Sequence, residues 1–220
     1  MNTTQLVAAV LLRATGKVST LTSADTKWQK IVAIANHYIE NWQNENGVDW
    51  NSLYDRAYSI GTVTATDTFE LDDEIRKISD TPGDYVEIEG TDGTIYQYEV
   101  VNADKLKQFS EGNYCAQIGR NLVFNSAFAT TDAQYGGTIT APVYLYADNL
   151  TTAGSQVPVD IPEWLVVISA AEYVRNDITK QNQYGNLISE ANSIMRRMKD
   201  DNGAQVSYAH APWSPGGIDW

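Results

Sequence analysis

A single cysteine in 220 residues excludes an intramolecular disulfide and a cysteine-rich zinc site. Cys115 reads as a small, half-buried hydrophobe rather than a catalytic thiol. Histidine is almost as scarce, with only His37 and His210. Nucleophilic catalysis needs a base held beside the nucleophile. His37 falls in a helical stretch beside apolar positions and reads as a core-edge or surface residue. His210 falls in a Pro/Gly-rich tail, where no rigid site would hold it. A Ser-His-Asp or Cys-His site therefore has no support. No apolar run approaches the roughly 20 residues that span a bilayer, so no membrane association is expected. The start lacks the basic residues and small-residue cleavage site of a signal peptide, so synthesis in the cytoplasm is expected.

Positive charge is also in short supply. Lys and Arg number 15 against 28 Asp and Glu, a net charge of −13. Such a surface repels phosphates and argues against a nucleic-acid reader. It is compatible with an acidic-walled conduit through which DNA passes without sticking, and equally with plain solubility. What is plentiful is apolar and aromatic: 43% hydrophobic residues, with 6 Trp and 13 Tyr. That suits a globular body of one large or two small domains.

No internal repeat is visible, and the chain divides into three zones and a tail. Residues 1–58 are predicted helical. In "TTQLVAAVLLRATG", Thr3 or Thr4 is the expected cap, and Leu6, Val7, Val10 and Leu11 share a face. In the next segment Trp28, Ile31, Val32, Ala35, Tyr38, Ile39 and Trp42 keep the helical period. Thr22 or Ser23 is its expected cap and Gly47 its stop. "DWNSLYDRAY" is predicted as a short third helix. Residues 59–154 read as β. In "DYVEIEGTDGTIYQYEVV", alternating Val86 and Ile88, the Asp92-Gly93 turn and the return through Ile95 to Tyr98 specify a hairpin. "YCAQIGRNLVFNSAF", with a turn at Arg120-Asn121, and "TITAPVYLYAD" add strands.

Residues 155–203 are helical again. Pro162 stands at the first position. Trp164, Val167, Ile168, Ala171, Val174 and Ile178 form one apolar face, and Leu187, Ile188, Ala191, Ile194, Met195 and Met198 continue it. Gly185 is either a kink or a break between two helices. The expected fold class is α+β: a helical bundle from both chain ends, an inserted antiparallel β-sandwich or barrel, and an extended C-terminal arm over 204–220. That arm, "AQVSYAHAPWSPGGIDW", sets Tyr208, Trp213, Ile218 and Trp220 on a Pro/Gly backbone. Disordered tails normally lack such residues. The pattern suits docking on a partner, with these four as anchors.

Two stretches hint at chemistry and fail on spacing. "RATGKVST" suggests a phosphate-binding loop, but Leu11 stands where the first glycine belongs, Val18 follows Lys17, and the preceding segment is helical. Gly16 is better read as a left-handed helix cap. "ELDDEIRK" groups Glu70, Asp72, Asp73 and Glu74 without calcium-loop spacing and reads as a solvated turn or strand edge. No catalytic, cofactor-binding or metal-ligating residue is assigned, and the chain is expected not to be an enzyme.

The N-terminal stretch from "LVAAVLLRATGKVST" through "NSLYD", and the stretch "VPVDIPEWLVVISAAEYVRNDITKQNQYGNLISEANSIMRRM", resemble the opening and closing helical regions of tailed-bacteriophage head-to-tail adaptor proteins. Together they cover nearly half the chain. The resemblance implies a virion protein of the neck, bound beneath the portal protein. It implies a homo-oligomeric, usually dodecameric, ring that extends the DNA channel toward the nozzle or tail-tube proteins. The C-terminal arm would reach the portal or a neighbouring subunit. Another virion role, in the tail or as capsid decoration, and a virion-associated peptidoglycan hydrolase are the alternatives.

Overall fold

The computed structural model describes the backbone of residues 1–209 and side chains through Gly203. Among the described residues the fold is α+β, with five α-helices and one mixed sheet curled into a half-barrel. The chain forms two compact units: residues 1–52 with 147–220, and residues 53–146.

The first unit begins with α1 (Thr3–Thr15). Its cap is Asn2, one residue before the expected threonines. The Asn2 side chain accepts from the Gln5 N–H at 2.9 Å, and the Gln5 side chain accepts from the Asn2 N–H at 2.9 Å. Gly16 closes the helix at φ +70, its N–H reaching the Leu12 carbonyl. The stretch "RATGKVST" is thus the end of a helix and the turn after it. α2 (Thr26–Gln43) buries Trp28, Ile31, Val32, Ala35, Ile39 and Trp42, the expected stripe except for half-buried Tyr38. It stops at Asn44 rather than at Gly47, which lies in the following turn at φ +73. Trp50 folds back onto Trp42: the rings stack at 5.1 Å, and the Trp50 indole N–H donates to the Trp42 carbonyl at 2.7 Å.

Residues 53–146, the second unit, intervene before the chain returns to this one. α4 (Pro162–Val174) buries every side chain from Trp164 through Ala171. A helix apolar all round needs partners on all sides, and α1, α2 and the last helix, α5 (Gln181–Ala209), all pack on it. The two long helices are separated at 175–180, where the Asp177 side chain accepts from the Thr179 N–H and starts a short turn. Gly185 is no break; it sits inside continuous α5. Ile178, expected on the apolar face, falls in the separating turn and is 87% exposed. Residues 204–209 continue α5, so the extended arm expected from 204 does not begin there.

Polar side chains join the two halves of this unit. The end of α1 leaves carbonyls without helical partners. Lys180 donates to the Ala14 carbonyl and Gln183 to that of Arg13, both at 2.9 Å. Asn36 clamps the Leu150 backbone from both sides, at 3.1 and 2.8 Å. Asn202 accepts from the Asn51 N–H and donates to the Asp49 carbonyl.

The second unit contains β1 (Tyr54–Thr62), β2 (Thr68–Glu70), β3 (Ile75–Ile78), β4 (Tyr85–Glu89), β5 (Ile95–Val100), α3 (Ala103–Leu106), β6 (Tyr114–Ile118), β7 (Asn121–Phe124) and β8 (Thr138–Leu145). The sheet order is β1-β8-β4-β5-β6-β7-β2, with β3 also on β8. This corrects three expectations. The predicted third helix is a three-residue turn followed by β1, because pairing along β8, from Tyr54↔Tyr144 to Thr62↔Thr138, overrides local propensity. The sheet is single, so there is no sandwich among the described residues. It is mixed, because β5 and β6 run parallel, joined by a crossover through α3.

The β4–β5 hairpin matches its expected register, with Ile88 opposite Tyr96, and Gly93 supplies the turn at φ +80. Pro142 sits inside β8, where a missing N–H usually breaks a ladder. Here β8 exchanges neighbours: β4 pairs as far as Thr140, β3 pairs from Val143, and the Pro142 carbonyl accepts from Ser79. The concave core includes a cluster of Phe69, Tyr98, Phe124 and Phe128, edge-on or tilted at 4.8 to 6.2 Å.

Candidate functional site

The acidic stretch lies in the turn between β2 and β3. Arg120 holds it, donating to the Leu71 carbonyl at 2.8 Å and pairing with Asp73 at 2.7 Å. The Tyr58 hydroxyl donates toward both Asp72, at 2.9 Å, and Glu74. These bonds, Glu74 first, push the Tyr58 phenol well above its ordinary range. The carboxylates thus clasp strands together as a turn, in line with the sequence expectation. Among the described residues no group of three or more His, Cys, Asp or Glu is placed to hold a metal ion.

Cys115 is fully buried on β6, and burial pushes its thiol up to about 12. A thiol so raised is inert near neutrality. His37 is exposed on α2, with Nε2 3.1 Å from the Asn41 side-chain nitrogen. His210 lies outside the described residues. No helix among the described residues is long and apolar enough to cross a membrane.

The described surface does contain an aromatic groove, within the helical unit. It has a volume of about 400 Å³ and lies where α2, α4 and α5 meet. Its apolar walls are Tyr38, Trp42, Trp164, Ile168 and Met195. Tyr38 and Trp164 meet edge-on at 6.3 Å. Asn41, Asn192, Arg196, Lys199 and Glu45 supply the polar part. Lys199 pairs with Glu45, and Arg175 pairs with Glu172, which accepts from the Tyr38 hydroxyl at 3.4 Å. Burial, then the Glu172 charge, raises the Tyr38 pKa. Arg196 is exposed and enters no ion pair among the described residues, so the groove carries a cation on a strongly acidic protein. Trp42 is fully buried, and its indole N–H has no acceptor among the described residues.

Sequence reasoning placed Tyr38, Trp42, Trp164 and Met195 in core stripes and did not mark them as a site. A signal was present. The α5 stripe is wider than one neighbouring helix can cover, and Ile188 and Met195 remain half-buried. Of the expected anchors, Tyr208 lies in the last turn of α5, and Trp213, Ile218 and Trp220 lie outside the described residues. No protein-family model matches the chain, and no curated protein matches it.

Proposed function

We propose that the chain is a head-to-tail adaptor of a tailed bacteriophage: a non-enzymatic virion protein that forms a ring beneath the portal, continues the DNA channel and joins the capsid to the tail. The observation that carries this reading is the build of the helical unit. It draws on both ends of the chain, which are the stretches that resemble the adaptor family. Its last helix spans 29 residues, about 43 Å at 1.5 Å per residue. Through Gly203 the last apolar position it buries is Met198, and the helix backbone continues about 9 Å farther, to Ala209. A long final helix that leads in sequence into an aromatic-rich segment suits engagement of a second protein.

The charge supports the same role. Residues 53–146 hold 15 of the 28 carboxylates but only 6 of the 15 Lys and Arg. A net charge of −9 on 94 residues repels DNA, and a ring carrying it would pass the genome without binding it.

The test is binding to the portal protein of the same particle, with the full chain and with a chain ending at Ala209. The intact protein is expected to bind, and the truncated one to fold and fail to bind. Equal binding by both would remove the docking role from Trp213, Ile218 and Trp220.

A further inference from the structure

We propose that Asn46 is a site of spontaneous covalent modification in the folded chain: its side-chain amide reacts with the backbone nitrogen of Gly47, releases ammonia, and leaves aspartate and isoaspartate in the turn after α2. The sequence holds two Asn-Gly pairs, Asn46-Gly47 and Asn202-Gly203, and one Asp-Gly pair, Asp92-Gly93. Such pairs are the most open to this reaction, because glycine has no side chain to shield the attacking nitrogen and leaves the backbone free to turn. The two Asn-Gly pairs are equivalent in sequence. The fold separates them.

Asn46 and Gly47 are both exposed, in a turn closed by the Val48 N–H donating to the Glu45 carbonyl at 3.2 Å. Gly47 stands at φ +73, with no heavy atom within 4 Å of the place a side chain would take. Among the described residues the Asn46 amide has no hydrogen-bond partner and the Gly47 N–H has no acceptor. Electrophile and nucleophile are adjacent, unhindered and in water. At Asn202 both are held. Its Oδ1 accepts from the Asn51 N–H at 2.8 Å, its Nδ2 donates to the Asp49 carbonyl at 2.9 Å, and Gly203 lies within α5, whose ladder fixes the backbone. At Asp92-Gly93 the Gly93 N–H donates to the Gly90 carbonyl at 2.9 Å, and the Asp92 side chain accepts from the Thr94 N–H at 2.9 Å. The Thr94 bonds hold the Asp92 carboxyl below its ordinary range, so it stays a carboxylate and a poor acyl group.

The reaction needs only water. Hydroxide removes the Gly47 amide proton, and the nitrogen attacks Asn46 Cγ. The N–Cγ bond forms, the Cγ–Nδ2 bond breaks, and Nδ2 leaves as ammonia. Water then opens the succinimide. Cleavage between the nitrogen and Cγ restores the backbone with aspartate at position 46. Cleavage between the nitrogen and the Asn46 backbone carbonyl carbon leaves isoaspartate, with the chain running through the side chain. Either product puts a carboxylate just past the C-terminus of α2, against the negative end of its dipole. Isoaspartate also lengthens the backbone between Trp42 and Trp50, whose rings stack, and so loosens the connection that seats Trp50 on α2. This stands whether or not the chain is a phage adaptor.

The experiment ages the full-length chain in mildly alkaline buffer, folded and in urea, and follows each pair by peptide mass spectrometry after digestion at acidic pH. Isoaspartate is read by labelling with an isoaspartyl methyltransferase. In urea, Asn46 and Asn202 are expected to convert at comparable rates. In the folded chain, Asn46 should keep a rate close to its rate in urea and yield isoaspartate with aspartate. Asn202 should slow by about tenfold or more, since two side-chain hydrogen bonds and a helical turn must open first. Asp92 should yield no isoaspartate over the same period. Asn46→Gln, an exposed substitution that leaves the fold in place, should abolish the label in that peptide. Slowing of Asn46 on folding to the same degree as Asn202 overturns the proposal. So does an Asn202 that reacts as fast as Asn46 in the folded chain. Aspartate without isoaspartate at position 46 overturns it too, because direct hydrolysis would then replace attack by Gly47.

Discussion

The two units divide the chain's aromatic residues almost completely. All six Trp lie in the helical unit, and all four Phe and nine of the 13 Tyr lie in the β unit. Charge divides as well, with the β unit holding most of the excess acid. Their construction differs in a way that explains how each is held. The β unit is one contiguous stretch and closes by strand pairing and a buried aromatic cluster. The helical unit comes from both ends of the chain. It closes by burying α4 on all sides and by side chains such as Asn36, Lys180 and Asn202 that bridge more than 110 residues of sequence. The β unit can complete itself locally, whereas the helical unit must wait for its second half. Because tryptophan is confined to one unit and phenylalanine to the other, each unit has its own spectroscopic reporter.

The largest expected break in this comparison is Trp42→Ala. It removes a fully buried ring, its stack on Trp50 and a groove wall, at a cost of about 3–5 kcal/mol to the helical unit. Denaturation followed by Trp fluorescence should shift accordingly, while near-ultraviolet circular dichroism from Phe and Tyr of the β unit should hold. A shift of both signals together would mean that the units unfold as one.

Alkali should press in the opposite direction. In the β unit, burial raises Tyr98 from 10.0 to about 12 and Cys115 from 9.0 to about 12. A pKa raised on folding means that the stabilisation is complete below the unfolded value and is lost as pH climbs through the folded one. The β unit should therefore lose a few kcal/mol between pH about 9 and about 12. Tyr38 in the helical unit is raised in the same direction, but there it is one group against several. Tyrosinate absorbance and Trp fluorescence, followed over a pH series, should show the β unit yielding first; the reverse order would contradict the assignment. The smallest expected effect is Asn2→Ala, which removes the α1 cap and costs the helical unit about 1 kcal/mol. Its check is a correspondingly small shift in the Trp-monitored transition alone.

The same contrast explains what the sequence revealed. Strong local patterns were legible: the stripes of α1 and α2, Pro162 opening α4, Gly16 closing α1, and the β4–β5 hairpin with its Asp92-Gly93 turn. These depend on periods and caps within a few residues of one another. β1 was misread as a helix because its strand character comes from β8, more than 75 residues away. The β5–β6 pairing was missed for the same kind of reason: parallel register leaves no tight-turn signature. Ile178 fitted the helical period but lies in the turn that Asp177 initiates, a cap that competed with the stripe. The groove was legible only as excess width in apolar stripes, since a wall residue and a core residue share the same sequence period.

The adaptor reading faces its most direct test in a cryo-EM reconstruction of the virion neck without imposed icosahedral symmetry. It predicts a closed ring of about a dozen copies of this chain beneath the portal, with Trp213 in contact with the portal or a neighbouring subunit. Density for this chain on the capsid lattice, in hundreds of copies, or along the distal tail would contradict it.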